Sequence, residues 1–205
     1  MNVAVLVPVK AFAQAKQRLA DVLSPAERRR LAQTLAEGVL AVARDVPLFV
    51  VCDDEEVREW SERHGAQALW TAELGLNGAV DDGVRSIAAQ GFDHIIVSHA
   101  DLPLPASLTG IARDGTATFV PDVRRDGTNV MSFPLDRPVP AAYGSGSFDR
   151  HCDAARAAGL RVEVRADARL ALDIDVASDL THPLLREVLP TWLPTIPVNP
   201  FTQQR

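Results

Sequence analysis

The segment Val3-Ala4-Val5-Leu6-Val7-Pro8-Val9 is apolar at every position, where a strand with one wet face would alternate. Such a run belongs to a strand covered on both sides, which requires helices above and below a parallel sheet. The chain supplies them at once. Ser24-Pro25-Ala26-Glu27 reads as an N-cap, a proline in the first turn and a capping-box glutamate. Leu31, Leu35, Val39 and Val42 then recur at helical spacing to about Arg44, and a second apolar run, Leu48 to Cys52, follows. The chain therefore opens with a βαβ unit.

The pattern repeats. Asp53-Asp54 begins a helix through Trp60, Gln67 to Trp70 forms a short third strand, and a helix from about Leu76 to Gln90 leads into a buried strand, His94 to Ser98. This alternation predicts an α/β fold: a three-layer sandwich with a mainly parallel sheet. Beyond Pro105 the pattern changes, and Thr116 to Pro121 and Val130 to Phe133 are expected to pair around a turn at Asp126-Gly127 as a lid or hairpin over one end of the sheet. A helix from Phe148 to Ala158 precedes Arg161 to Val164, then a last strand, Leu170 to Asp175, and an amphipathic stretch from Leu180 to Leu189. The expected organisation is one domain over residues 1–189 and a proline-rich tail over 190–205. Pro190, Pro194, Pro197 and Pro200 exclude a long helix there. The tail is expected to lie across a surface, that of a partner in a homodimer, anchored by Trp192 and Phe201.

A net charge of -6 argues against a general nucleic-acid or anionic-membrane surface, whose affinity comes from lysine and arginine. The first apolar run stops at Pro8, too soon for a leader or membrane helix, so a soluble, cytoplasmic protein is expected. Cys52 and Cys152 are far apart and read as reduced thiols, and the five histidines are too scattered for a zinc site.

Ligands of open parallel sheets sit beyond the carboxyl ends of the strands. The loop after the first strand carries Lys10, Lys16 and Arg18, three cations that suit a triphosphate or make a solvated basic loop; it lacks the glycines of a Walker A loop. Ser98-His99-Ala100-Asp101 puts Asp101 at the end of the fourth strand, as a turn cap or a metal ligand. Near the end, Leu172-Asp173-Ile174-Asp175 sets two carboxylates on one side of an extended chain, with Leu170, Leu172 and Ile174 on the other. Two such anions call for a hard divalent cation such as Mg2+, which Asp101 would complete as a three-carboxylate site; alternatively Asp175 caps the following helix. Gly75-Leu76-Asn77 starts a helix, and Asp126-Gly127-Thr128-Asn129 and Tyr143-Gly144-Ser145-Gly146-Ser147-Phe148 offer hydroxyls and amides, the second at a helix N-terminus.

In order and spacing, Val7-Pro8-Val9-Lys10, Ala15-Lys16-Gln17-Arg18-Leu19, Gly75-Leu76-Asn77, Ala100-Asp101-Leu102-Pro103, Asp126-Gly127-Thr128-Asn129, Gly144-Ser145-Gly146-Ser147-Phe148 with His151, and Leu172-Asp173-Ile174-Asp175 resemble one family. It is that of the guanylyltransferases of deazaflavin coenzyme (F-420) biosynthesis, and the likeness extends to about Leu180. The resemblance implies a nucleotide-diphospho-sugar transferase-like fold, GTP and Mg2+, and a phosphorylated three-carbon acid (2-phospho-L-lactate, phosphoenolpyruvate or 3-phospho-D-glycerate) that attacks the α-phosphorus and releases pyrophosphate. By the same resemblance, Asp101, Asp173 and Asp175 would hold the metal and Lys10, Lys16 and Arg18 would face the triphosphate. Thr128, Gly144 and Ser147 would cradle the acceptor, and Gly75 and Asn77 would sit near guanine or ribose. A nucleotide-sugar glycosyltransferase using Asp173-Ile174-Asp175, or a non-catalytic nucleotide-binding module, are the competing readings.

Overall fold

The computed structural model describes residues 1–72, 75–108, 110–185 and 188–194. Its strands are β1 (Val3–Pro8), β2 (Leu48–Cys52), β3 (Gln67–Trp70), β4 (His94–Ser98), β5 (Thr116–Pro121), β6 (Thr128–Pro134) and β7 (Arg161–Val164). The helices are α1 (Pro25–Ala43), α2 (Glu55–Arg63), α3 (Gly75–Ala89) and α4 (Ser147–Ala157). All seven strands join one sheet in the order β3-β2-β1-β4-β6-β5-β7. Strands β1 to β4 pair in parallel, β6 runs antiparallel to both β4 and β5, and β5 pairs parallel with β7.

Alternate residues of β1 pack on opposite layers. Val5 and Val7 meet Ala36, Val39 and Leu40 of α1, with Val57 and Trp60 of α2 in the same core, while Ala4 and Leu6 share the other core with Val80, Val84 and Ile87 of α3 and Phe148 and Cys152 of α4. The doubly covered sheet anticipated from the apolar runs is thus present. Ser24 accepts from the Glu27 amide while the Glu27 carboxylate accepts from the Ser24 amide, completing the capping box of α1. Close approach matters at Gly83 of α3, where a Cβ would lie 2.8 Å from Leu6 Cδ2.

Three expectations are corrected. The β5/β6 pair is no lid: both strands are buried at every position and form the centre of the second half of the sheet. Their threonines and serines disguised them, but such groups are tolerated inside when paired, as Ser132 Oγ is with His94 Nε2 at 2.8 Å. Leu170 and Ala171 lie in a turn, and Leu172 to Asp175 pairs with no strand among the described residues. Its alternation survives because Leu172 and Ile174 insert into a third apolar cluster with Leu19, Leu23, Leu31, Leu35, Leu180 and Leu185. Finally, the helix foreseen after Asp175 is, among the described residues, no more than 3-10 turns at Asp179–Thr181 and Pro183–Leu185, since Pro183 removes a donor. Arg186 and Glu187 lie outside the described residues, as do Pro197, Pro200 and Phe201. Trp192 packs on the chain's own third cluster, with the Arg30 guanidinium 4.5 Å from its ring centroid. Both cysteines are free and buried, and no helix among the described residues is long and apolar enough to cross a membrane.

Candidate active site

The chain passes from β1 outward through β2 to β3, then returns to place β4 on the other side of β1. That reversal is where α/β sheets open a crevice, and a cleft of about 450 Å³ lies there. Pro8, Val9 and Lys10 line it from the end of β1, His99, Ala100 and Asp101 from the end of β4, and Lys16, Arg18 and Asp175 from the flanking loops.

Lys16 is its hub. This residue takes the left-handed conformation (φ 55°), which turns its side chain inward; Nζ donates to Asp101 Oδ2 at 2.8 Å and to the Ile174 carbonyl. The Ile174 amide in turn donates to the Asp101 carbonyl at 3.4 Å. Asp101 and the Asp173–Asp175 segment, distant in sequence, are therefore neighbours. The third apolar cluster explains it, because Leu19 on one side of Lys16 and Leu172 and Ile174 on the other are buried together. Arg18, further out, pairs with the Asp175 carboxylate. Lys10 is exposed and forms no ion pair among the described residues.

Charges in this cleft are unbalanced. Burial alone would raise the Asp101 carboxyl, but the charges of Lys16 and His99 and the Lys16 hydrogen bond outweigh it and hold Asp101 below the ordinary carboxylate range. Asp173 is pushed up to about 7, first by burial and then by the carboxylates of Asp101 and Asp179. Asp101 Oδ1 and His99 Nε2 are buried without hydrogen-bond partners among the described residues. Asp175 does not cap the turn that follows it: that role falls to Asp179, whose carboxylate accepts from the amides of Asp175 and Val176 at 2.7 and 2.8 Å.

A three-carboxylate cage is not preformed. Among the described residues no three His, Cys, Asp or Glu side chains are grouped to hold a metal, because Lys16 draws on Asp101 and Arg18 on Asp175. Even so, the donors suit a hard cation. The orphaned Asp101 oxygen and the excess negative field that raises Asp173 are what a divalent ion with oxygen ligands relieves.

The groups assigned to the acceptor behave differently. Thr128 and Ser147 are buried, while Gly144 is exposed with a φ of 119°. His151 Nε2 accepts from the Ala142 amide at 2.9 Å, so its proton resides on Nδ1 and is donated to Thr128 Oγ1 at 3.0 Å. Burial, aided by Arg150 and His99, lowers His151 to about 4 and keeps it neutral. The Thr128 hydroxyl thus orients a histidine. Asn77 is also engaged, clamping the Tyr143 peptide: its Oδ1 accepts from the Tyr143 amide at 2.7 Å and its Nδ2 donates to the carbonyl at 3.3 Å. Gly75, by contrast, lines a second cleft of about 320 Å³ that shares Pro8, Val9, Lys10 and Leu76 with the first.

Motif reading missed Asp126 and Tyr143 as site builders. The Asp126 carboxylate accepts from the Gly146 amide at 2.9 Å and fastens the glycine-rich loop to the β5–β6 turn. The Tyr143 ring lies 5.0 Å from both His99 and His151, its hydroxyl buried without a partner among the described residues. Both sit inside segments singled out for their glycines and hydroxyls, so the signal was present but attributed to their neighbours.

Residues 3–187 match the protein family described as "Guanylyl transferase CofC like". The chain is 34% identical over 191 residues to the phosphoenolpyruvate guanylyltransferase of Rubrobacter xylanophilus, covering 89% of this chain and 93% of that protein. It is 32% identical over 195 residues to the 2-phospho-L-lactate guanylyltransferase of Methanothermobacter thermautotrophicus, covering 90% and 85% respectively. Among solved structures, a Desulfovibrio desulfuricans protein assigned as a nucleotide-diphospho-sugar transferase superposes with a TM-score of 0.73 at 15% identity, over 90% of this chain and 88% of that one. A CMP:2-keto-3-deoxy-manno-octonic acid synthetase complexed with CTP superposes with a TM-score of 0.56 at 12% identity, over 88% and 96%. The fold is that of the nucleotide-diphospho-sugar transferases.

Proposed function

The chain belongs to the CofC-like guanylyltransferase family, a nucleotidyltransferase family, and from that premise we propose that it transfers GMP from GTP to the phosphate of a three-carbon phospho-acid in a Mg2+-dependent reaction. Phosphoenolpyruvate, 2-phospho-L-lactate and 3-phospho-D-glycerate are the acceptors to compare. The observation that carries the reading is the Lys16 ammonium, which joins Asp101 to the Asp173–Asp175 segment at the sheet's reversal point.

An acceptor phosphate oxygen attacks the α-phosphorus of GTP, the bond from that phosphorus to the bridging oxygen breaks, and pyrophosphate leaves with the electron pair. The nucleophile is already an anion at neutral pH, so the protein's task is alignment and charge neutralisation. Lys10, at the cleft rim, meets the triphosphate as it enters. Lys16 and Arg18 neutralise Asp101 and Asp175 before substrate arrives and turn towards phosphate oxygens afterwards. Asp101, Asp173 and Asp175 would hold Mg2+, which would supply neutralisation of the two reacting anions. On the acceptor side, the exposed Gly144 backbone and the loop held by Asp126, Asn77 and Arg150 offer amides to a carboxylate or phosphate, while Thr128 and Ser147 shape the loop from beneath.

Incubating the purified protein with GTP, Mg2+ and each acceptor in turn tests the reading. Pyrophosphate and a guanylylated acid are expected in equal amounts with at least one acceptor. Release with none of the three would overturn the proposal.

A further inference from the structure

The second cleft contains a carboxylate that the transfer chemistry leaves unused. It is lined by the ends of three neighbouring strands: Lys10 after β1, Cys52 and Asp53 at β2, and Thr71 after β3, with Gly75, Leu76 and Ala79 of α3 as its wall. The two aspartates at the end of β2 have different fates. Asp54 caps α2, its Oδ1 accepting from the Val57 amide at 3.1 Å. Asp53 borders the cleft and has no hydrogen-bond or ion-pair partner among the described residues. The remaining lining is mainly apolar, as suits a flat aromatic ring held by few polar groups.

Because the two clefts share Pro8, Val9, Lys10 and Leu76, a ligand whose phosphates lie beside Lys16 and Arg18 extends past Lys10 into the second one. Guanine presents two adjacent donors on one edge, N1–H and the 2-amino group. A carboxylate is acceptor-only and takes both at once, whereas adenine turns a ring-nitrogen lone pair towards it. We infer that Asp53 is the residue that selects guanine, by accepting from N1–H and the 2-amino group of GTP in the second cleft. This rests on the guanylyltransferase reading and adds to it the basis of nucleotide choice.

Equilibrium competition of GTP, ITP and ATP against a fluorescent GTP analogue, with the wild-type protein and Asp53→Asn and Asp53→Ala, tests it without any acceptor. For the wild type, GTP should bind best, ITP less well because it keeps N1–H but lacks the 2-amino group, and ATP worst. In Asp53→Ala the GTP-over-ATP preference should fall by about 10- to 100-fold, the discrimination one bidentate base contact provides. In Asp53→Asn, whose amide also donates, ATP should gain relative to ITP. A preference unchanged in both variants would overturn the assignment, as would a uniform weakening of all three nucleotides. Turnover of GTP with the phospho-acids, run in parallel on the wild type, separates the two ideas: failure there with base-selective binding intact removes the acceptor chemistry and leaves Asp53 standing.

Discussion

Lys16 Nζ lies 2.8 Å from Asp101 Oδ2 and donates as well to the carbonyl of Ile174. One ammonium, with only 8% of its side chain exposed, thus links the end of β4 to the peptide between Asp173 and Asp175. A buried charge held this way strongly resists removal of either partner.

Replacing Lys16 by Met should cut turnover with GTP by about 100-fold or more, the usual cost of losing one preorganised charge at a reacting phosphate. Without Lys16 the Asp101 carboxyl loses the main influence that lowers it. The acid limb of the pH–rate profile should therefore move to higher pH. Lys16→Arg should not restore the rate, since a planar fork does not fit where a compact ammonium is nearly buried. Steady-state kinetics across pH measure both effects.

Asp101→Ala and Asp175→Ala should each lose nearly all pyrophosphate release while keeping a native circular dichroism spectrum. Removal of divalent ions with EDTA should have the same effect on the unaltered protein, reversed by Mg2+. Normal turnover by both variants would refute the site assignment.

Asp173 makes a prediction about stability. Its carboxyl is raised to about 7 from the ordinary 3.8, so in that interval the folded chain binds more protons than the unfolded one. Stability from this group is full below pH 3.8 and is lost as pH rises through about 7. Asp173→Asn should therefore melt at a higher temperature than the wild type at pH 8, by several degrees, with the gap closing at pH 5. Thermal melts without divalent ions, at both pH values, give the answer.

Thr128→Val removes the acceptor of the His151 Nδ1 proton in a fully buried setting. The expected cost is about 1–3 kcal/mol, read as a lower urea midpoint, with Thr128→Ser close to wild type.

Gly83→Val would drive a side chain onto Leu6, whose Cδ2 lies 2.8 Å from where the Cβ must go. Leu6 is completely buried in β1 and cannot step aside, so a loss of about 1–3 kcal/mol is expected in the same urea titration.

What could be read from residue order was whatever depends on near neighbours. The β1 run, the capping box of α1 and the alternation of Leu172 and Ile174 follow from local periodicity and local hydrogen bonding, and each has its counterpart in the fold. Family likeness along the chain likewise pointed to Lys10, Lys16, Arg18, Asp101 and Asp175, which line the cleft, and to Asp173, which does not. Tertiary structure decided which groups are free to act. Thr128 and Asn77 look available in the sequence, yet His151 and Tyr143, far along the chain, engage them, while among the described residues Asp53 stays unpaired beside an Asp54 committed to a helix cap. The same holds for β5 and β6, whose threonines and serines resemble an exposed hairpin until the sheet buries them and histidines take up Ser132 and Thr128. A polar side chain's role is set by the partner it meets, and that partner is chosen by long-range packing of apolar clusters rather than by adjacent residues.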